Sequence, residues 1–190
     1  MAGRAHARIL ILATDGSDLG DLMQELRRQG AELSVAAPVP RDGGDSILSW
    51  DGQAGPAALA KPVPVDHTLE TVQPGQWDAL VLPDGLVGPD RLRAEPEVLA
   101  LLRDWALAGG MVAAIGHGAW VLVDAGLAKG RRMTSCPAIR TDLQNAGALW
   151  LDLPVVQDGP IITVPPAGQA DMLRHLQQVL AEGRHAGGTA

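Results

Sequence analysis

The sequence predicts an α/β domain built on a doubly wound, mostly parallel sheet of flavodoxin-like order. Three observations lead there. Short runs rich in Val, Ile, Leu and Ala read as strands covered on both faces. They alternate with segments whose apolar residues recur at helical spacing and close on glycine. The chain also opens strand–helix–strand, which implies a right-handed crossover between parallel neighbours.

Taken in order, Arg8 to Ala13 (RILILA) is the first strand. Leu19, Leu22, Met23 and Leu26 mark a helix that Gly30 stops, and Glu32 to Pro38 is the second strand. Val39 to Pro64 is rich in Gly, Pro, Asp and Ala and reads as irregular, with short flap strands at Ser46 to Trp50 and Pro62 to Asp66. Trp77 to Pro83 (WDALVLP) is a further buried strand. Val98, Leu101, Leu102 and Trp105 mark an amphipathic helix closed by Gly109-Gly110. Met111 to Ile115 is the next strand, followed by Gly116-His117-Gly118 and a helix from Ala119 to Asp124 that ends at Gly126. Ser135 is placed to cap a helix beginning at Pro137, with Gly147 as its stop. Asp158-Gly159 between two apolar runs is a hairpin turn signal. Met172, Leu173, Leu176, Val179 and Leu180 form the last amphipathic helix. One domain over residues 1–183 is expected, with 184–190 as a frayed tail. Ligands bind at the carboxyl ends of strands in such a sheet. Those ends are Thr14-Asp15-Gly16-Ser17-Asp18, Pro83-Asp84-Gly85 and Gly116-His117-Gly118.

Composition narrows the function classes. The chain has 190 residues, which suits one sizeable core, and 46% of them are hydrophobic. It has five Trp but no Phe or Tyr, so Leu, Val, Ile and Ala must fill the interior. The net charge of −7 disfavours a nucleic-acid partner. The only cysteine, Cys136, excludes an internal disulfide and fits a cytoplasmic protein. The opening apolar run reads as a buried strand rather than a leader, and no segment reaches the length of a membrane span. The five His are dispersed, without HExxH or CxxC spacing, so no metal is expected, and no cofactor motif appears.

At its strand ends the chain resembles the ThiJ/PfpI superfamily, which has the class I glutamine amidotransferase-like fold. That group includes the Parkinson-protein deglycases, PfpI-type proteases and glyoxalase III-type enzymes. The likeness covers nearly the whole chain. It rests on AAIGHGAW and GRRMTSCPAIRTDLQNAGALWLD, on LVLPDGLVGPDRLR, on VDHTLETV and on the opening TDGSDLGDL. The resemblance implies a nucleophilic cysteine on a strained strand-to-helix elbow, where the helix N-terminus lowers the thiol pKa. It implies a proton-sharing Glu from the first loop, a histidine beside the cysteine, an acid from a neighbouring subunit and backbone oxyanion donors.

Carried onto this chain, the cysteine position is Gly116 and the histidine is His117. The first-loop Glu becomes Asp18, which as a plain structural residue would be a helix N-cap. The acid becomes Asp90, which otherwise caps a short helix. The oxyanion glycines become Asp84, which is changed, and Gly85, which is kept. Cys136 falls near the elbow where the family has an aromatic, either as a relocated thiol or as an apolar filler.

Glycine cannot attack, transfer a proton or be oxidised, yet it suits an elbow backbone. The leading expectation is therefore a homologue without thiol catalysis. It would keep a pocket of Asp18, Gly85, Gly116, His117, Gly118 and Cys136 for a small anionic or carbonyl ligand, or serve a stress-associated accessory role. Two alternatives stand beside it. One is a divergent enzyme of small-aldehyde or amide chemistry using His117, Asp18 or activated water. The other is a purely structural or partner-binding oligomer. The resemblance also implies a homo-oligomer, dimer or hexamer, with Asp90 near a neighbour's His117.

Overall fold

The computed structural model describes residues 6–38, 44–50 and 59–186, with 59–61 and 183–186 described by backbone alone. Its main sheet has seven strands. They are β1 (Arg8–Leu12), β2 (Glu32–Ala37), β5 (His67–Thr68), β6 (Ala79–Leu82), β7 (Met111–Ile115), β10 (Val156–Asp158) and β11 (Ile161–Val164). Two further pairs lie outside it: β3 (Ser46–Trp50) with β4 (Leu59–Pro64), and β8 (Arg132–Met133) with β9 (Leu149–Trp150). The helices are α1 (Gly20–Arg28), α2 (Val87–Arg93), α3 (Pro96–Leu107), α4 (Ala119–Asp124), α5 (Arg140–Asn145) and α6 (Gln169–Ala186).

The sheet order is β10-β11-β7-β6-β1-β2-β5. All neighbours are parallel except β10 and β11, which form the hairpin turning through Asp158 and Gly159. Within it, β2-β1-β6-β7-β11 is the flavodoxin-like order. The winding reverses at β1, whose neighbours are β2 and β6, so a crevice opens at the carboxyl ends of β1 and β6.

Continuous apolar strands arise because each face is covered. Leu10 and Leu12 of β1, Leu80 and Leu82 of β6, and Val112 and Ala114 of β7 join Val98, Leu102, Trp105, Leu122 and Leu143 in one core. The alternate residues Ile9, Ile11, Val81, Ala113 and Ile115 join Leu22 and Leu26 of α1 with Met172, Leu173 and Leu176 of α6 in the other. Period-two alternation thus sends successive apolar side chains into two different cores. No helix among the described residues is long and apolar enough to cross a membrane.

Several local expectations change. Asp18 does not cap α1: Leu19 holds the N-cap position without a side-chain cap. The Leu19 amide donates instead to Ser49 Oγ of β3, at 3.2 Å. Ser135 does not cap either. Its hydroxyl donates to the Cys136 carbonyl and accepts from Trp150 Nε1, while a 3-10 turn over Pro137–Ile139 leads into α5. Asp90 lies in the first turn of α2, whose N-cap position is Leu86. The backbone of α6 stays helical to Ala186, into the segment expected to fray, and 187–190 lie outside the described residues.

Candidate active site

Adjacent parallel strands bring the critical loops together. In the β6–β7 register Leu82 faces Ala114. Asp84 and Gly116 each lie two residues further on, so their loops meet above the sheet. Gly116 opens a 3-10 turn over Gly116–Gly118 that runs into α4, and its φ is +52°, where a side chain is strained. Gly118 is fixed by packing: a Cβ there would meet the Leu82 carbonyl oxygen at 2.6 Å. Gly85, at φ +115°, sits against the first loop, where a Cβ would meet the Gly16 carbonyl oxygen at 2.8 Å. The Asp18 amide donates to the Asp84 carbonyl oxygen at 2.9 Å, closing that loop onto the next.

The Asp84 carboxylate fills the place where a side chain at position 116 would start. A Cβ on Gly116 would lie 2.5 Å from its Cγ and from both its oxygens. Asp84 Oδ1 accepts from the His117 amide at 2.8 Å and pairs with His117 Nδ1 at 2.9 Å. The two side chains are 14% and 21% exposed, so solvent reaches them through a restricted opening. The edge of Trp120 meets the His117 ring with centroids 5.1 Å apart. Trp120 is held in turn by Arg93, 5.0 Å above its ring, and by Asp142, which accepts from its Nε1 at 2.7 Å.

The structure therefore brings Asp18, Gly85, Gly116, His117 and Gly118 to one crevice. Cys136 joins them: it is buried, and its thiol senses the Asp84 charge. Burial first, and then that carboxylate, push the thiol pKa up, against opposing hydrogen bonds from backbone amides. The shift disfavours the thiolate, which is the nucleophilic form. The native state keeps this proton more tightly than the unfolded chain does. The contribution to stability accordingly falls as pH rises past the ordinary thiol range. Alkylation of Cys136 by iodoacetamide is expected to run much slower in the native protein than in denaturant at the same pH. Equal rates would show an activated, open thiol.

Asp90 does not reach His117 within the chain. It pairs with Arg93 at 3.4 Å, and Arg93 also pairs with Asp124 at 3.4 Å. The carboxylate partner of His117 inside this chain is Asp84. Sequence reasoning marked Asp84 as a changed oxyanion position. The missed signal was that positions 84 and 116, both read as changed against the resemblance, fall on facing loops.

One of the backbone donors expected at the turn is already engaged. The His117 amide is already taken by Asp84, and α4 is a six-residue helix with little dipole to offer. Among the described residues no group of three His, Cys, Asp or Glu side chains is placed to hold a metal ion. A groove of about 360 Å³ between α1 and α6, lined by Asp21, Glu25, Arg28 and Gln169, shares no residue with this crevice.

With this geometry in hand, comparison with known proteins is direct. A deglycase of Pyrococcus abyssi is 43% identical over 155 residues, which span 80% of this chain and 86% of that protein. A deglycase of Pyrococcus horikoshii is 43% identical over 97 residues, and the chain matches 58% of its length. The crystal structure of Drosophila melanogaster DJ-1beta superposes with a TM-score of 0.74 at 26% identity, covering 91% of this chain and 90% of that one. The DJ-1/PfpI family model matches residues 7–180, which contain every loop of the crevice, and the chain belongs to that family.

Proposed function

We propose that this protein acts on adducts between amines and small carbonyl compounds, releasing the amine by acid–base catalysis without a covalent thiol intermediate. One observation supports it above others. The elbow is retained, and a carboxylate paired to His117 stands where a nucleophilic side chain would project. The relatives named deglycases supply the substrate class.

The chemistry tolerates the loss of a thiol. In a carbinolamine, a base removes the hydroxyl proton and the electron pair closes the C=O bond. The C–N bond breaks, and its electron pair leaves with nitrogen, which takes up the proton. The products are an amine and an aldehyde, with no oxidant and no nucleophile required. Positioned general acid–base groups contribute about 10²–10⁴-fold to such steps.

A second reading, ligand binding without turnover, has one observation in its favour: position 116, at the turn between β7 and α4, is a glycine with no side chain that could attack. Amine release from a pre-formed adduct of methylglyoxal and a free amino acid separates the two. Turnover that survives Cys136→Ser and pre-treatment with iodoacetamide is the expected result. Binding without release would favour the second reading. Complete dependence on the Cys136 thiol would overturn the first.

A further inference from the structure

We infer that Asp84 and Gly116 form a single exchange: the reactive elbow has lost its side chain so that a carboxylate from the facing loop can enter, and this carboxylate positions His117 with Nε2 as the base. For its chemistry this rests on the acid–base reading above. Its structural core stands on the geometry alone.

The steric half is unambiguous. Any residue other than glycine at 116 would place its Cβ 2.5 Å from Asp84 Cγ, Oδ1 and Oδ2 together. These are not atoms at the end of a long flexible chain. The carboxylate sits two bonds from its backbone and is tied by two hydrogen bonds to residue 117, next to the glycine itself. It cannot swing away without breaking both. An aspartate at 84 thus demands glycine at 116, and a side chain at 116 demands a small residue at 84. The register of β6 against β7 makes the two positions opposite, so neither can change alone without strain.

The chemical half follows from the donor pattern. An ionised carboxylate only accepts hydrogen bonds, so the 2.9 Å contact with Oδ1 requires the proton on His117 Nδ1. A neutral imidazole so held presents its lone pair at Nε2. That nitrogen bonds to no described residue and is not a buried atom left without a partner, so it faces accessible space. Asp84 Oδ2 likewise has no hydrogen-bond partner among the described residues. Asp84 is a positioning residue here, and His117 is the group that meets substrate. The acid that the resemblance draws from a neighbouring subunit is supplied by the same chain.

The test is a double-mutant cycle in a Cys136→Ser background, comparing Gly116→Cys, Asp84→Gly and the two together. Gly116→Cys alone is expected to melt lower than its parent and to alkylate slowly at 116. Adding Asp84→Gly is expected to recover melting and to speed alkylation at 116 by on the order of tenfold or more, as the thiol gains the freed His117 amide. Nitrogen-15 NMR of His117, well above the imidazole titration range, reads the other half. The parent is expected to show the Nδ1–H tautomer, and Asp84→Gly is expected to shift it toward Nε2–H. In activity, Asp84→Asn is expected to lower kcat with KM little changed. The inference is overturned if Gly116→Cys alone is as stable and as reactive as the double variant, or if the parent carries Nε2–H. Should the parent release no amine from any adduct, the functional proposal fails, while alkylation and NMR still decide this inference.

Discussion

Replacing His117 by alanine is expected to lower kcat for amine release by about 10²–10⁴-fold, because the base and proton carrier is removed at once. Among the described residues His117 is the only side chain paired with Asp84, and it lies half-sheltered against Trp120. Its removal leaves the Asp84 carboxylate with the residue-117 amide as its one partner among the described residues, which holds the loop but orients no base. The fold should survive, since 117 is not one of the buried core positions. The measurement is steady-state release of amine, with melting temperature as control. If the variant keeps at least half of the parent's kcat, the acid–base assignment to His117 is wrong.

The largest loss of stability is expected at Trp105. Trp105→Ala should cost about 3–5 kcal/mol, the range for deleting a buried aromatic side chain. The indole is completely buried in the core between α3 and the sheet, and it is tilted against Trp77 at 6.4 Å between ring centroids. Its Nε1 donates to the Met111 carbonyl oxygen at 3.1 Å, tying the helix to the start of β7. Gly110 exists to admit it: a Cβ there would lie 2.5 Å from that nitrogen. The chain holds no Phe or Tyr, so little else of that volume is available to refill the space. In a chain of this size the cost corresponds to a melting temperature lower by roughly 10 °C. Calorimetry checks this against Leu107→Ala, a residue 85% exposed at the end of α3, which should change little. Equal effects at the two positions would contradict the packing described.

Much of the fold was legible in local sequence because its rules act over a few residues. ILILA, after Arg8, and MVAAI are apolar at every position, and such short β-branched runs suit a strand covered on both faces. Gly126 and Gly30 end their helices at positive φ, +76° and +82°, where the backbone favours glycine. The caps were misread for the opposite reason. Leu19 looks like a poor cap because its acceptor, Ser49, is 30 residues away on a hairpin. Ser135 was judged by its neighbours, whereas Trp150 and the Cys136 carbonyl decide its bonds.

The sequence by itself determined the strand ends and put His117 beside a glycine at 116, a residue that carries no thiol. It showed the aspartate at 84 as well, but as an isolated change. Tertiary structure alone decided that these two residues are partners. Asp84 and His117 are 33 positions apart, and nothing in their local context relates them. They meet because β6 and β7 pair in parallel at a fixed register, which carries two loops to the same height above the sheet. A carboxylate then enters the volume that glycine leaves open and takes two hydrogen bonds from one residue. Contact distance and donor geometry, which exist only after the strands have packed, make that site.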